Sequence, residues 1–242
     1  MTTESRFLIV SGVRVEVVRK RIKNLHLGVY PPDGRVRIAA PLGMSEDAVR
    51  VALVRKLGWI RRQQVRYRRQ ERESARELVS GESHYFLGRR YRLEIVEDGA
   101  AGTIVLRRQS MMSLHVRSEW DRARREKALY AWYRARLREA AEPLVARWSR
   151  KLGVTVAFWG IKKMKTKWGS CIAPRRRVWL NVELAKKPPE CLDYLVVHEL
   201  GHLVARHHDE RFQELMDRHL PRWRDLRKLL NEAPLANEAW RY

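Results

Sequence analysis

YLVVHELGHLVARHH (194–208) is the segment that decides the fold. It contains HELGH (198–202), in which His198 and His202 are four residues apart. Residues i and i+4 lie one above the other on a helix face, so both imidazoles can reach a single metal ion. Glu199 lies roughly 100° further around such a helix, beside a metal-bound water, where it can act as a base without being a ligand. The segment therefore predicts a helix that carries a catalytic zinc site.

The alternative interpretation of this segment is a helix with two surface histidines. The residues around the motif argue against it, because they are apolar on most sides of the predicted helix: Leu195, Val196, Val197, Leu200, Leu203 and Val204. A charged Glu199 buried among them costs free energy unless it has a partner. A metal ion with its water supplies that partner, so the pattern favours a metal site.

A catalytic zinc ion needs a third protein ligand and an open position for water. His208 stands ten residues after His198, which is where the pattern HExxHxxGxxH places its third histidine. The chain departs from that pattern, since Ala205 occupies the glycine position and no methionine turn is recognisable. His207 and Glu214 are therefore kept as alternatives to His208.

The pattern of apolar residues predicts an α+β fold with a β-rich N-terminal region before the motif. Val13, Val15 and Val17 alternate with charged residues, which is typical of a half-buried strand. The predicted elements are strands within 6–42, a helix over 46–73, strands over 84–97 and 103–116, a helix over 121–151 that is interrupted or kinked near Pro143, strands over 154–163 and 176–184 that flank a loop at 163–171, the motif helix from Pro189, and a last helix from about Asp209 to Pro221. No internal repeat is evident. We predict two parts, residues 1–118 and a catalytic domain of residues 119–242.

Composition indicates a globular and strongly basic protein. Hydrophobic residues make up 45% of the chain, which excludes disorder, and the net charge is +23. Such a charge attracts polyanions, and basic residues are dense at 61–72 and 122–127, near Tyr67 and Trp120. Solvated helix faces explain these runs equally well.

The two cysteines suggest no disulfide framework, and no segment has the length and apolarity of a membrane span or signal peptide. We therefore expect a cytoplasmic protein without a membrane partner.

Four segments of the chain follow one another in a characteristic order and spacing: KTKWGSC (165–171), WLNVELAKKP (179–188), LDYLVVHELGHL (192–203) and HHDERFQELM (207–216). In these segments the chain resembles the YgjP-like metallopeptidases, a zincin family distantly similar to the SprT-like and WLM proteases. The resemblance covers residues 10–225 and implies a zincin-like core in which a small sheet packs on the motif helix and the following helix. It also implies a zinc peptidase whose third ligand is His208, with Phe212 as the accompanying aromatic residue. Two residues depart from the family pattern. Asp209 stands where Ser or Asn is expected, and Gly201 stands where Ala or Cys is expected.

The KTKWGSC segment offers candidate substrate-binding residues. Lys167 and Trp168 belong either to an edge that pairs with an extended peptide or to a turn in which the tryptophan packs on the motif helix. Tyr194, Lys167 and a loop N–H are candidates for stabilising the oxyanion of the reaction. Cys171 is not expected to be a nucleophile, because the metal site is better supported.

The expected function is hydrolysis of peptide bonds in a peptide or protein substrate, with Zn²⁺ held by three histidines and Glu199 as general base. One alternative is a DNA-associated protease of the SprT-like type, which the positive charge would suit. The other is a non-enzymatic basic binding module with a structural zinc ion, although structural sites are usually four-coordinate and often contain cysteine.

Overall fold

The computed structural model describes residues 5–30, 34–69, 76–164 and 167–232. These residues form three small sheets and five helices, so the predicted mixed α+β class is confirmed. The strands are β1 (Ser5–Val10), β2 (Val13–Lys20), β3 (His26–Tyr30), β4 (Arg35–Pro41), β5 (Ser83–Phe86), β6 (Arg89–Glu97), β7 (Ile104–Arg107), β8 (Met111–Val116), β9 (Phe158–Lys162), β10 (Gly169–Ile172) and β11 (Arg177–Asn181). The helices are α1 (Glu46–Arg69), α2 (Arg122–Leu152), α3 (Pro189–Gly201), α4 (Glu210–His219) and α5 (Trp223–Glu232).

The first two sheets have the same topology. Their strand orders are β1-β2-β4-β3 and β5-β6-β8-β7, and in each the central pair is parallel while the outer pairs are antiparallel. Both opening hairpins turn through two residues with positive φ, Ser11–Gly12 and Leu87–Gly88, as a type I′ turn requires. A helix follows each sheet. The chain thus contains a duplicated sheet–helix arrangement. The expectation that the sequence has no internal repeat is not tested by this similarity of topology.

The described residues form two compact units, residues 5–69 and residues 76–232. In the first unit, α1 supplies Val49, Leu53 and Ile60 to a core that also contains apolar residues of the β1–β4 sheet. The division that we predicted after residue 118 falls inside the second unit. There the β5–β8 sheet, α2 and α3 contribute to one continuous hydrophobic core.

Helix α2 provides the support for the motif helix. Asp121 caps its start by accepting the N–H of Arg124 (2.8 Å), and Gly153 ends it in the left-handed conformation. The predicted interruption near Pro143 is not observed, because the helix continues through that residue to Leu152. Asp193 on α3 accepts hydrogen bonds from the Trp148 indole (2.6 Å) and from Arg147, both on α2. These bonds fix α3 against α2.

The third sheet has the order β10-β11-β9, with β10 at one edge. Strand β10 lies partly in the segment 163–171 that we predicted to be a loop, and α5 was not predicted. Helix α4 begins after Asp209, as expected, whereas the predicted end of α1 at residue 73 lies outside the described residues. No helix among the described residues has both the length and the apolarity needed to cross a membrane.

Candidate metal centre

Helix α3 carries the HExxH motif in the core of the second unit. Leu195, Val196, Val197 and Leu200 are all buried, as the apolar pattern predicted. The helix ends at Gly201, and His202 is its C-cap residue. The two motif histidines therefore occupy the last turn of a helix whose other faces are packed.

The structure brings His198, His202 and His208 together. One nitrogen of each ring lies within 4.8 Å of the others, and Nε2 of His198 is 3.0 Å from Nε2 of His208. The turn after α3 begins with the N–H groups of Leu203 and Val204 bonded to carbonyls of the helix end, at 2.9 Å each. Ala205 is not among the described residues with a positive φ, so this turn does not need the glycine of the longer pattern.

The ring of Phe212 contacts all three imidazoles. Its ring centroid lies 5.1 Å from that of His198 and 4.8 Å from those of His202 and His208. Asp209 accepts the backbone N–H of Phe212 (3.1 Å) and so caps α4, which explains an aspartate at this position.

Gly201 permits this packing inside the motif. A Cβ atom at this position would lie 3.1 Å from the Phe212 ring, which is closer than an ordinary van der Waals contact. It would also lie 3.4 Å from Leu215. The glycine costs helix stability, but it allows α4 to approach α3. The departure from the family pattern at Gly201 therefore has a packing reason.

The far ring nitrogens of the motif histidines have partners that orient the rings. Nδ1 of His198 lies 3.5 Å from the Tyr194 hydroxyl, and Nδ1 of His202 lies 3.3 Å from the Ala205 carbonyl. When Nδ1 carries the proton and donates to these oxygens, the lone pair is on Nε2, as a metal ligand requires. The contact with His198 gives Tyr194 an orienting position, and its contact with substrate stays a prediction.

The surroundings keep all three imidazoles neutral. Burial lowers the pKa of His198 to about 3, with further contributions from His202, His208 and the positive charge of Arg227. Burial is also the first cause that lowers the pKa of His202 and of His208. Neutral imidazole is the form that binds metals.

The donor set fits a divalent transition metal. Three neutral imidazole nitrogens suit zinc, and a set of three leaves one tetrahedral position open. Within the described residues, these histidines are the one group of three or more potential ligands so close together, and neither His207 nor Glu214 belongs to it. The geometry thus favours His208 over its two alternatives as the third ligand.

Glu199 is a buried carboxylate at the same site. It is 5% exposed, and burial raises its pKa to about 7 against an opposing effect of Lys167. A Cβ atom on Gly169 would lie 2.5 Å from Oε1 of Glu199, so the carboxylate rests directly against the backbone where β10 begins. The edge strand of the third sheet and the motif helix therefore meet at Glu199.

Asn181 holds the loop that leads into β10, a role that the sequence analysis missed. This buried side chain donates from Nδ2 to the carbonyls of Met164 (2.9 Å) and Lys167 (2.8 Å), and its backbone N–H donates to Trp168 O (2.8 Å). Its Oδ1 accepts the N–H groups of Met164 (3.3 Å) and Glu183 (3.2 Å). One amide side chain thus ties this loop to the end of β11, next to the β10 edge beside Glu199.

The predicted substrate residues lie at this loop. Lys167 is exposed, and its charge acts on Glu199. Trp168 packs against the main core, and the Lys187 ammonium lies 5.3 Å from its ring centroid. Lys165 of the same segment lies outside the described residues. The tryptophan is thus partly buried against the core, and substrate contact by Trp168 and by Lys167 stays a prediction.

The basic runs noted in the sequence have partly structural roles. In the run 122–127, Arg122 donates to the Arg76 carbonyl (2.7 Å) and Arg125 to the Leu78 carbonyl (3.3 Å). Trp120 packs against the core. In the run 61–72, Arg61 and Arg62 are exposed on α1, and the side chains from residue 66 onward, including Tyr67, lie outside the description.

A family model, the YgjP-like metallopeptidase domain, matches residues 23–233. The solved structures that are similar to part of the chain include two metallopeptidase zymogens. The metallopeptidase zymogen of Pyrococcus abyssi abylysin is 19% identical, with a TM-score of 0.36 over 40% of this chain and 99% of that chain. The metallopeptidase zymogen of Methanocaldococcus jannaschii jannalysin is 20% identical, with a TM-score of 0.34 over 37% of this chain and 92% of that chain. No curated protein matches significantly. The predicted resemblance is confirmed, and the chain belongs to the YgjP-like family of metallopeptidase domains.

Proposed function

We propose that this protein is a zinc-dependent peptidase in which His198, His202 and His208 hold the metal and Glu199 is the general base. The observation that carries the proposal is the convergence of three imidazole nitrogens within 4.8 Å, next to a carboxylate that is 5% exposed. Three ligands with an adjacent base are the arrangement of catalytic zinc sites rather than structural ones. The alternative of a structural zinc ion in a binding module is therefore less well supported.

Zinc, when bound, would supply a Lewis acid that lowers the pKa of water into the neutral range and polarises a carbonyl. Glu199 accepts the proton of the attacking water and delivers it to the amine that leaves. Its burial excludes bulk water, and its contact with the Gly169 backbone limits the positions that it can take. The carboxylate is thus held in one place for both proton transfers.

The peptide substrate, in this proposal, adds as a strand to the edge of the third sheet. Strand β10 pairs with β11 on one side, and no other described strand pairs with its opposite side. Main-chain hydrogen bonds along such an edge bind an extended peptide with little dependence on its side chains. Because β10 begins against Glu199, the bound peptide would pass beside the base.

Positive charge is available on two sides of the site. Lys167 acts on Glu199, and Arg227 of α5 acts on Tyr194, His198 and His208. Burial is the largest cause of the pKa shift of each of these three groups, raising the pKa of Tyr194 and lowering that of the histidines, and the charge of Arg227 is a smaller contribution. Arg227 was not singled out in the sequence, where it lies in a charged helix without a motif. We assign Lys167 and Arg227 to the stabilisation of the developing oxyanion or of a substrate carboxylate. The two free cysteines suit a reducing compartment, which supports a cytoplasmic location.

Removal of the metal tests the proposed function directly. Treatment with a chelator is expected to abolish cleavage of a mixed peptide library, and addition of one equivalent of Zn²⁺ is expected to restore it. Metal analysis should show one zinc per chain in the active protein. Cleavage that persists in metal-free protein would contradict the proposal.

Asn181→Ala is expected to lower kcat/KM for peptides roughly 10- to 100-fold, because small displacements of a binding edge have effects of this size. The zinc content should not change, since Asn181 contacts no proposed ligand. The substitution also leaves the Met164 and Lys167 carbonyls without their donor, so the melting temperature should fall. A lower melting temperature with full kcat/KM at a permissive temperature would show that Asn181 has only a structural role.

A further inference from the structure

The third sheet has one face in the core and one face in solvent. Ile161, Val178 and Leu180 are buried on the inner face. Strand register places Ser170, Asn181 and five other side chains on the opposite face. We call those five the aromatic face: Phe158, Lys162, Ile172, Arg177 and Trp179. Phe158 is 40% exposed and Ile172 is 43% exposed. The described residues thus leave a large part of this apolar surface uncovered.

Two aromatic rings lie side by side on this face. The ring centroids of Phe158 and Trp179 are 5.1 Å apart with an interplanar angle of 57°. A Cβ atom on Gly160 would lie 2.7 Å from Trp179 and 3.0 Å from Phe158. The glycine therefore lets both rings lie over the strand backbone. Such rings form a platform on the sheet instead of inserting into the core.

Cations accompany both rings. The Lys162 ammonium lies 4.6 Å from the Trp179 ring centroid, and the Arg177 guanidinium carbon lies 5.2 Å from that of Phe158. Neither cation forms a salt bridge with another described residue. The sequence contains no Asp or Glu from residue 143 to residue 182, a segment that includes the whole third sheet. The exposed basic residues described within this segment are Arg150, Lys151, Lys162, Lys163, Lys167, Arg175, Arg176 and Arg177.

We propose that the aromatic face binds single-stranded nucleic acid. Exposed rings on a sheet are suited to stacking with unpaired bases, and the cations beside them are suited to the phosphates. A duplex keeps its bases stacked internally, so it cannot use the rings in this way. An acidic peptide would match the charge but has no bases to stack. Nucleic-acid binding at this face goes beyond the proposed peptidase activity.

Fluorescence anisotropy of the full chain with a short labelled oligothymidine tests the proposal. We expect the single strand to bind more tightly than a duplex of equal length, with an affinity that falls steeply between about 50 and 200 mM salt. Phe158→Ala should weaken binding by about 5- to 150-fold, the range reported for the loss of one base–aromatic stack. Phe158→Tyr should retain the affinity, because a tyrosine ring also stacks.

Control variants separate stacking from general charge. Trp59→Ala removes an exposed aromatic residue from α1, outside the aromatic face, and should leave the affinity unchanged. Arg177→Gln should weaken binding more than Arg55→Gln, although both remove one exposed positive charge. Circular dichroism verifies that each variant is folded. The readout is equilibrium binding, so its result is independent of whether the chain cleaves peptides.

Three results would overturn the proposal. The first is equal affinity for duplex and single strand, and the second is equal binding by Phe158→Ala and Trp59→Ala proteins. The third is that polyglutamate binds and the oligonucleotide does not, which would identify an acidic polypeptide as the partner of this face.

Discussion

Glu199→Gln is expected to retain stoichiometric zinc and to hydrolyse peptides about 10²- to 10⁴-fold more slowly than the unsubstituted protein, the range typical for loss of a general base. Glutamine has nearly the same shape, so it can occupy the position against Gly169. It cannot accept the proton of the attacking water. Because the three histidines are unchanged, metal binding should be preserved. The measurement is kcat on a peptide library together with metal analysis.

Glu190→Gln is the matched control, since Glu190 is an exposed glutamate in the first turn of the same helix. This variant should retain both activity and zinc. Unchanged cleavage by Glu199→Gln would refute the assignment of the base. A large loss of zinc in that variant would instead indicate that Glu199 is itself a metal ligand.

His208→Ala is expected to lower zinc affinity by roughly 100-fold or more, since loss of an outer-shell partner alone typically costs 10- to 100-fold. Peptide cleavage should be lost with the metal. His208 is the most exposed of the three histidines and contacts Phe212 at its ring edge, so its removal leaves no large cavity. The fold should therefore survive, and a competition titration with a fluorescent zinc chelator can measure the change in affinity.

His207→Ala and Glu214→Ala are the matched controls for this ligand. Both residues were alternatives on sequence grounds, and neither belongs to the three-histidine group. Both variants should bind zinc normally. If the His208→Ala protein binds zinc with full affinity and one of the two control variants binds it weakly, the third ligand is His207 or Glu214, whichever was replaced in that variant.

The motif helix and the candidate ligands were predictable because their signals are local. Periodic apolar residues place His198 and His202 on a buried helix, and the spacing to His208 is short. Asp209 is a strong helix cap, so the start of α4 was predictable as well. These features depend on residues within one or two turns of each other.

Features that depend on distant contacts were not predictable. Asn181 is the last residue of strand β11, and only the folded chain shows that its amide bonds the loop before β10. Arg227 lies near the histidines because α5 packs on α3. Pro143 suggested a break in α2 that does not occur. The helix packs on both sides of the proline, and this packing outweighs the low helix propensity of proline.

The duplicated sheet–helix arrangement has a consequence for folding specificity. Two sheets of identical strand order in one chain offer each hairpin a second, incorrect template. Their interiors differ in side-chain volume: the described core of the first contains aliphatic residues such as Val15, Val36 and Ile38, whereas the second contains Phe86, Met112 and Tyr133. An exchanged hairpin would leave voids in one interior and overfill the other, and both errors are costly. Residue size thus specifies which hairpin completes which sheet.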